Sequence, residues 1–422
     1  MRKVLVILAL LSLAGAGAAH AEALTLKECL QNAAATSKGL RAASHEVGIA
    51  QEQIDVAGSA RLPRVDLQAG YVAQLKAQAV KFGAIEQETQ DPRFPFLNLN
   101  IYNTLYDFGR TGAREGRARM QRDAAQYAYS GSEQDLFMEV VRAYYGIMVA
   151  EKLVGAANDE VVQMTAHQKT AQALFDQGVV TRNDLLQAEV RVASSRQNLY
   201  SALNAVENGW LVLNYLTGAP ADFRAELQEE SGLPGVPEPQ LAADLSRRGE
   251  IAAQKAAVAA SEFAVKEAKS DYYPEFFANL GVDYADNSKV REQTMVAATL
   301  GLKVNLFDGR AKAARVRQAV QARSRDEERL RDLEDRVRLE LATALNDMKV
   351  AASRINVAEK AIAQGMENLR ITKDRYLEQV GTATEVVDAQ TLLTQTRTDY
   401  YRSVFDLQLS AARVKRATGE LR

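Results

Sequence analysis

The sequence predicts a mostly α fold with β, in which long coiled-coil helices carry β-hairpins and the whole unit occurs twice. Three observations predict it. LRAASHEVGIAQEQIDVAGSARLP at 40–63 is answered by IAAQKAAVAASEFAVKEAKSDYYP at 251–274, aligned without a gap 211 positions on. YDFGR at 106–110 is answered by LFDGR at 306–310, and FDQGVVTRNDLLQAE at 175–189 by YLEQVGTATEVVDAQ at 376–390. Such self-similarity means two copies of one supersecondary unit. Composition agrees: only 8 prolines and 7% aromatic residues in 422 point to long helices with small side chains at their contacts. The third observation is a switch of apolar period, from three-four along the helices to two in the segments between them.

The chain opens with a secretory leader. Arg2 and Lys3 form its basic region, 4–13 its apolar core and Ala19-His20-Ala21 its cleavage site, so the signal peptide is expected at residues 1–21. The apolar run falls short of the roughly 20 residues a membrane helix needs, and no later stretch approaches that length. Cys29, the only cysteine, follows Leu26-Lys27-Glu28, which is no lipid-attachment site. It reads as a small apolar residue on the first helix, and a lone cysteine closes no internal disulfide.

Residues 22–218 form the first expected repeat. A helix enters over 24–62 and ends at Pro63, which cannot continue it. The hairpin at 64–107 follows. In it Val65, Leu67, Ala69 and Tyr71 alternate with Asp66, Gln68 and Gly70, and Leu97, Leu99 and Ile101 alternate with Asn98, Asn100 and Tyr102. Asp107 is placed to cap the next helix. That helix, 110–176, spans about 100 Å at ~1.5 Å per residue. Its Arg-rich start, 110–122, reads as a solvated face. Further on, Val140, Ala143, Ile147, Ala150, Val154, Ala157, Val161 and Met164 step by three and four, a heptad seam. The return helix, 183–217, carries the seam through Leu185, Ala188, Val192, Ser195 and Leu213, with Trp210 packed beside it.

A break rich in Pro and Gly makes 219–244 an irregular equatorial segment. The second repeat, 245–422, has an entering helix ended by Pro274, a hairpin at 275–307, a long helix and a return helix over 384–417. In this hairpin Phe276, Ala278, Leu280 and Val282 oppose Asn279, Gly281 and Asp283; Val296, Ala298, Leu300 and Leu302 oppose Thr299, Gly301, Lys303 and Asn305. The long helix repeats the seam at Val337, Leu341, Ala344, Met348, Ala351, Ile355, Ala358 and Tyr376, with one four-four stutter. Val386, Ala389, Leu393 and Leu407 continue it on the return helix. Ala and Ser at so many seam positions bury less apolar area than Leu or Ile would, so these helices need length and neighbours.

Four strands of roughly 10 residues, apolar on one face and polar on the other, are the pattern of an outer-membrane barrel. Four cannot close, and lipid does not tolerate open edges. The sheet must therefore be shared between copies: two give 8 strands, three give 12. An 8-stranded barrel is filled by its own side chains, so three copies suit a conduit better. On this reading Leu99, Leu300 and Leu302 face lipid, while Asn98, Asn100, Lys303 and Asn305 face the lumen.

The leader, the duplicated halves with YDFGR and LFDGR at strand-to-helix junctions, the turns within 175–189 and 376–390, and the terminal ATGEL at 417–421 resemble the TolC-like outer-membrane efflux family over essentially all of 24–422. The resemblance implies a homotrimer with a transmembrane β-barrel and a long α-helical coiled-coil barrel. It implies a passive exit duct across outer membrane and periplasm, docked to a periplasmic adaptor and an inner-membrane transporter, in efflux or type I secretion. It also implies a gate at the periplasmic helix turns, where Asp184, Tyr376, Glu385 and Asp388 match family tip positions. Threefold repetition of acidic groups there would focus negative potential and favour cations. The plainer reading is a first-turn helix charge or cap. This tip departs from the better-known members: its glycine lies five residues after Tyr376, and Ala383 stands where an arginine is often found.

Other classes find little support. Asp107-Phe108-Gly109 spells a kinase metal motif without the companion motifs. His45 and His167 are isolated on helices and read as surface residues, so no metal site, cofactor or catalytic constellation is expected, and the protein reads as no enzyme. Removing Arg2 and Lys3 with the leader leaves 50 basic against 54 acidic residues, without the clustered cationic surface nucleic acid requires. The alternative is a secreted periplasmic coiled-coil structural or adaptor protein without a pore; the four alternating strands argue against it.

Overall fold

The computed structural model describes residues 23–229, 232–237 and 245–421. The expected signal peptide and part of 219–244 lie outside them. The chain divides into two compact units: Met1–Arg41, Gly131–Arg248 and Asp335–Arg422 form one, and Ala42–Ser130 with Gly249–Glu334 form the other.

In order, the helices are α1 (Leu26–Thr36), α2 (Lys38–Gly58), α3 (Arg110–Asp176), α4 (Arg182–Thr217), α5 (Gly249–Ser270), α6 (Ala311–Leu377) and α7 (Ala383–Ala417). α3 and α6 are each 67 residues long; α4 and α7 have 36 and 35. The strands are β1 (Arg64–Ala73), β2 (Ala79–Phe82), β3 (Ile85–Glu88), β4 (Arg93–Tyr106), β5 (Glu275–Ala285) and β6 (Thr294–Lys303).

Two differences from the sequence reading stand out. The entering helix is two helices, broken at Ser37, whose hydroxyl accepts the Leu40 N–H at 3.2 Å and so restarts the helix. The first hairpin also carries a small ribbon, β2 paired with β3. Neither the 76–92 polar stretch nor the turn at Gly83 (φ 64°) shows strong apolar alternation, so periodicity alone passed over it.

In the first unit the core gathers Cys29, Leu30 and Ala33 of α1, Tyr144 and Ile147 of α3, Trp210 and Leu213 of α4, and Leu409 of α7. Tyr144 is fully buried, and its hydroxyl lies 2.9 and 2.7 Å from the Leu24 and Gln228 carbonyls, which share its single proton. This fastens Leu24, which bridges Leu227 in parallel, against α3. α1 is held at its start by a capping box between Thr25 and Glu28. The seam read from sequence is the buried stripe: Val140, Ile147, Met164, Val337, Leu341, Met348, Ala351, Ile355, Val386, Leu393 and Leu407 are all under 6% exposed. Each large aliphatic member buried there stabilises the unit by about 1.5–3 kcal/mol relative to exposure.

In the second unit β1, β4, β5 and β6 form one antiparallel sheet in the order β1-β4-β5-β6. At both sheet-to-helix junctions an aspartate caps the next helix: Asp107 accepts the Thr111 N–H at 2.7 Å, and Asp308 accepts that of Lys312 at 2.9 Å. Left-handed residues precede each helix, Phe108 and Gly109 in one copy, Gly309 and Arg310 in the other. The Arg-rich start of α3 is not simply solvated, contrary to the sequence reading. Arg114 and Arg117 both pair with Glu267 of α5, at 3.0 and 2.9 Å, and Arg61 pairs with Glu115 at 2.7 Å. Glu267 lies 153 positions from Arg114, and Glu115 sits within the Arg-rich run itself, so sequence charge counting could not match them.

Candidate membrane sheet and helix-tip gate

The strand pairings sort the sheet into two chemical faces. Asp66 stands opposite Asn100, and Gln68 opposite Asn98. Asn98 faces Asp283 and Asn100 faces Gly281 on the other side. Lys303 faces Glu275. Because neighbours across antiparallel strands share a face, Asn98, Asn100 and Lys303 share one. The opposite face carries Leu67-Leu99-Val282-Val296 and Val65-Ile101-Leu280-Ala298 in rows. These apolar side chains are open: Leu300 is 81% exposed, Leu67 66%, Val296 66% and Leu302 55%. Asn305 lies beyond the last residue of β6, where its carbonyl accepts the Lys312 ammonium at 2.8 Å. The strand stops two residues earlier than the alternation indicated.

Glu275 organises the helix end of the polar face. It accepts from the Tyr102 hydroxyl and the Thr104 hydroxyl, both at 2.9 Å, and from the Arg110 guanidinium at 2.5 Å. Beside it sits an aromatic group: Phe108 stacks on Tyr273 at 5.2 Å and meets Tyr106 edge-on at 4.8 Å. At the other end, Asn287 is fully buried and accepts the Asp91 N–H at 2.9 Å, while Asp91 accepts the Ser288 N–H and hydroxyl. Ser288 holds Asp91 below its ordinary value. The loops of the two hairpins are thereby tied together.

The helix turns are built by caps. Thr181 and Asp184 form a reciprocal capping box at the start of α4. Thr382 caps α7 by accepting the Glu385 N–H. Glu385 pairs with Arg375 across the α6–α7 turn at 3.2 Å. Asp388, one turn further along α7, is exposed. Tyr376 is only 5% exposed and packs with Leu369, Val386 and Leu393. Its hydroxyl is pushed up first by burial and then by the Asp184 charge. So the structure brings Asp184 near Tyr376, joins Glu385 to Arg375, and leaves Asp388 open.

His167 is 6% exposed, not a surface residue as the sequence suggested. It lies against Tyr376, a partner 209 positions away that no local pattern discloses. Burial, then the Lys373 charge, pulls the imidazole below 6.5. Lys373, itself lowered by burial, donates to Gln163. Sequence reasoning missed Arg375, His167 and Lys373. Arg375 alone had a signal, a basic residue beside the turn.

Among the described residues no cluster of His, Cys, Asp or Glu could hold a metal ion. No described helix is long and apolar enough to cross a membrane. A two-faced antiparallel sheet and two 67-residue helices, with capped return helices after them in the chain, are the elements of a TolC-like fold.

The comparisons agree. The family described as "Outer membrane efflux protein" matches residues 29–219 and 241–420, and the chain belongs to it. It is similar to protein CyaE of Bordetella pertussis, 26% identical over 94% of this chain and 84% of that protein. It also resembles the alkaline protease secretion protein AprF of Pseudomonas aeruginosa, at 24% identity over 57% of this chain and about half of AprF (51%). The crystal structure of CusC superposes with a TM-score of 0.82 at 18% identity, covering 93% of this chain and 92% of that one. As a member of this family the chain is an outer-membrane channel protein reaching into the periplasm, and the reading as a pore-free coiled coil is set aside.

Proposed function

We propose that three copies of this chain form a passive exit duct, in which the sheet supplies four strands of a 12-stranded barrel and the helices wall a periplasmic conduit. The observation that carries this is the sheet itself. One face is lined by exposed Leu and Val, the other by Asn, Asp and Lys, and β1 and β6 each have one strand neighbour only. Apolar exposure on this scale suits hydrocarbon, and open edges in hydrocarbon require partners. The aromatic group around Phe108 fits the periplasmic membrane boundary, where ring side chains sit at headgroup level.

The repeats divide at 22–218 and 245–422, about an irregular 219–244 and after a leader at 1–21. Their equal long helices support a pseudo-symmetric wall. The conduit docks to a periplasmic adaptor and an inner-membrane transporter; like AprF, whose name places it in protease secretion, it can serve type I secretion, or it can serve efflux as its family name states. It carries cargo without catalysing a reaction. Outer-membrane fractions run unheated and heated on a gel test this, together with conductance in planar bilayers. A heat-sensitive oligomer that conducts is the expected result, and a soluble periplasmic monomer would defeat the reading.

A further inference from the structure

The two hairpins of the sheet are built in one register. Arg64 stands opposite Tyr102 in the first, and Glu275 opposite Lys303 in the second. Glu275 follows Arg64 by 211 positions, the offset of the repeated helices before them; Lys303 follows Tyr102 by 201. The YDFGR and LFDGR motifs differ by 200. The extra residue is the irregularity between Thr104 and Tyr106, where β4 slips by one against β5. With that accounted for, β1 is the counterpart of β5 and β6 the counterpart of β4, residue for residue.

The pair β4–β5 joins the halves inside one chain, placing Tyr102 opposite Asn279, Asn100 opposite Gly281 and Asn98 opposite Asp283. Its counterpart is β6 with β1, which within one chain are the two open edges of the sheet. We infer that β6 of one copy pairs antiparallel with β1 of a second copy of this chain, setting Lys303 opposite Gln68 of the partner subunit, Gly301 opposite the partner's Gly70 and Thr299 opposite the partner's Val72. This rests on the oligomeric reading above and specifies its junction.

Side-chain chemistry fits that register on both faces. On the apolar face Leu300, 81% exposed, meets the partner's Tyr71, itself 64% exposed. Leu302 meets the partner's Ala69. A shift by one residue would set apolar against polar along the whole seam. On the polar face two glycines meet, and each is already roofed by a ring from the strand behind it. A Cβ on Gly70 would collide with the Phe96 ring, and one on Gly301 with the Phe277 ring. Strands lie about 4.8 Å apart, so two rings leaning over adjacent edge strands come within the 4.5–7 Å range of aromatic pairs. Phe277 is backed in turn by Tyr102, stacked at 5.5 Å. Each junction thus gains an aromatic clasp over paired glycines, facing the lumen.

Cysteine pairs test the register. Cys29 can stay in place, because it is fully buried and burial pushes its thiol up to about 12. The matched pairs are Lys303→Cys with Gln68→Cys, and Thr299→Cys with Val72→Cys. The shifted pairs are Lys303→Cys with Asp66→Cys, and Ala297→Cys with Val72→Cys. Directly opposed positions suit a disulfide, whereas diagonal ones about 7–8 Å apart do not. Outer membranes carrying each variant are oxidised and run on non-reducing gels, with heat-sensitive migration of the parent scored separately. Covalent linkage between copies for the matched pairs, and at least tenfold less for the shifted ones, is expected. Linkage at the shifted pairs, or at none while the parent still runs as an oligomer, overturns the register and leaves the duct intact. A monomeric parent overturns both.

Discussion

His167 on α3 and Tyr376 on α6 lie ring against ring, 5.2 Å between centroids and inclined by 53°. Each ends in a buried polar atom, Nε2 and the hydroxyl, that finds no hydrogen-bond partner among the described residues. Lys373 faces the imidazole from α6, and Asp184 faces the phenol from the start of α4. Two unpartnered polar atoms in an apolar seam cost stability. The His167–Tyr376 pair is therefore a local weak point of the seam.

A pH dependence follows from the imidazole. Its folded value lies below the ordinary 6.5, first because of burial and then because of Lys373. Below 6.5 the unfolded or opened chain takes up the proton more readily than the closed one. The closed form is thus at full stability above 6.5 and loses stability as pH falls through that value toward the depressed one. The protection factors of 160–175 and 370–385, taken relative to intrinsic exchange at each pH, should fall between pH 7 and pH 5. His167→Phe keeps the ring contact and removes the proton site, so its protection factors should be flat with pH. An equal fall in parent and variant would remove His167 from the account.

Packing gives a second prediction through two glycines. At Gly209 on α4 an added Cβ would lie 2.7 Å from Ile147 Cγ1, and Ile147 is fully buried. Gly209→Ala should overpack this site and destabilise the unit by about 1–3 kcal/mol. At Gly155 on α3 nothing lies within 4 Å of the added atom. There the better helix former should stabilise by up to about 1 kcal/mol. Thermal melts of the detergent-solubilised protein decide, and the two substitutions should move the midpoint in opposite directions.

The seam was legible because it is a local period. Val337, Leu341, Met348 and Ile355 repeat in a pattern that only one helix face can satisfy, and all are buried. The four strands of the main sheet were legible for the same reason, at period two, while the β2–β3 ribbon, lacking that alternation, was not. What failed were features decided by residues far apart. His167 read as a surface histidine because its cover, Tyr376, comes from the other repeat. The start of α3 read as solvated because Glu267, its partner for Arg114 and Arg117, lies on α5. At the tip, Asp184 and Glu385 were legible as positions near a turn. A first-turn charge or cap was among their readings, and Asp184 does form a capping box; only the Glu385–Arg375 ion pair needed three-dimensional distances.

Face assignment on the sheet yields a third prediction. Lys303 shares a face with Asn98 and Asn100, and Leu302 shares the other with Leu99. Single cysteines at Asn100 and Lys303 should react with a water-soluble, membrane-impermeant maleimide. Those at Leu99 and Leu302 should react only after detergent extraction. The opposite order would turn the sheet over. Asn305→Cys should label like a loop residue, since β6 ends at Lys303.

The acidic tip residues separate in a fourth prediction. Glu385 is paired with Arg375 at 3.2 Å, with both side chains about half exposed (43% and 52%). Its charge is largely cancelled at a distance, and such a surface pair contributes at most about 1 kcal/mol. Asp388 is exposed and has no ion pair among the described residues. In the proposed trimer such an uncancelled carboxylate would be repeated around one aperture and would dominate the local potential. Asp388→Ala should therefore lower the cation-over-anion permeability ratio in bilayer recordings more than Glu385→Ala does. Glu385→Ala acts differently, because it releases the Arg375 tie across the α6–α7 turn. It should raise conductance while leaving an unpaired cation that itself reduces selectivity slightly. Restoring the charge with Glu385→Asp should recover conductance only if the shorter side chain still reaches Arg375. If both alanine variants keep the parent's selectivity and conductance, neither residue lines the constriction, and both act as first-turn helix charges alone.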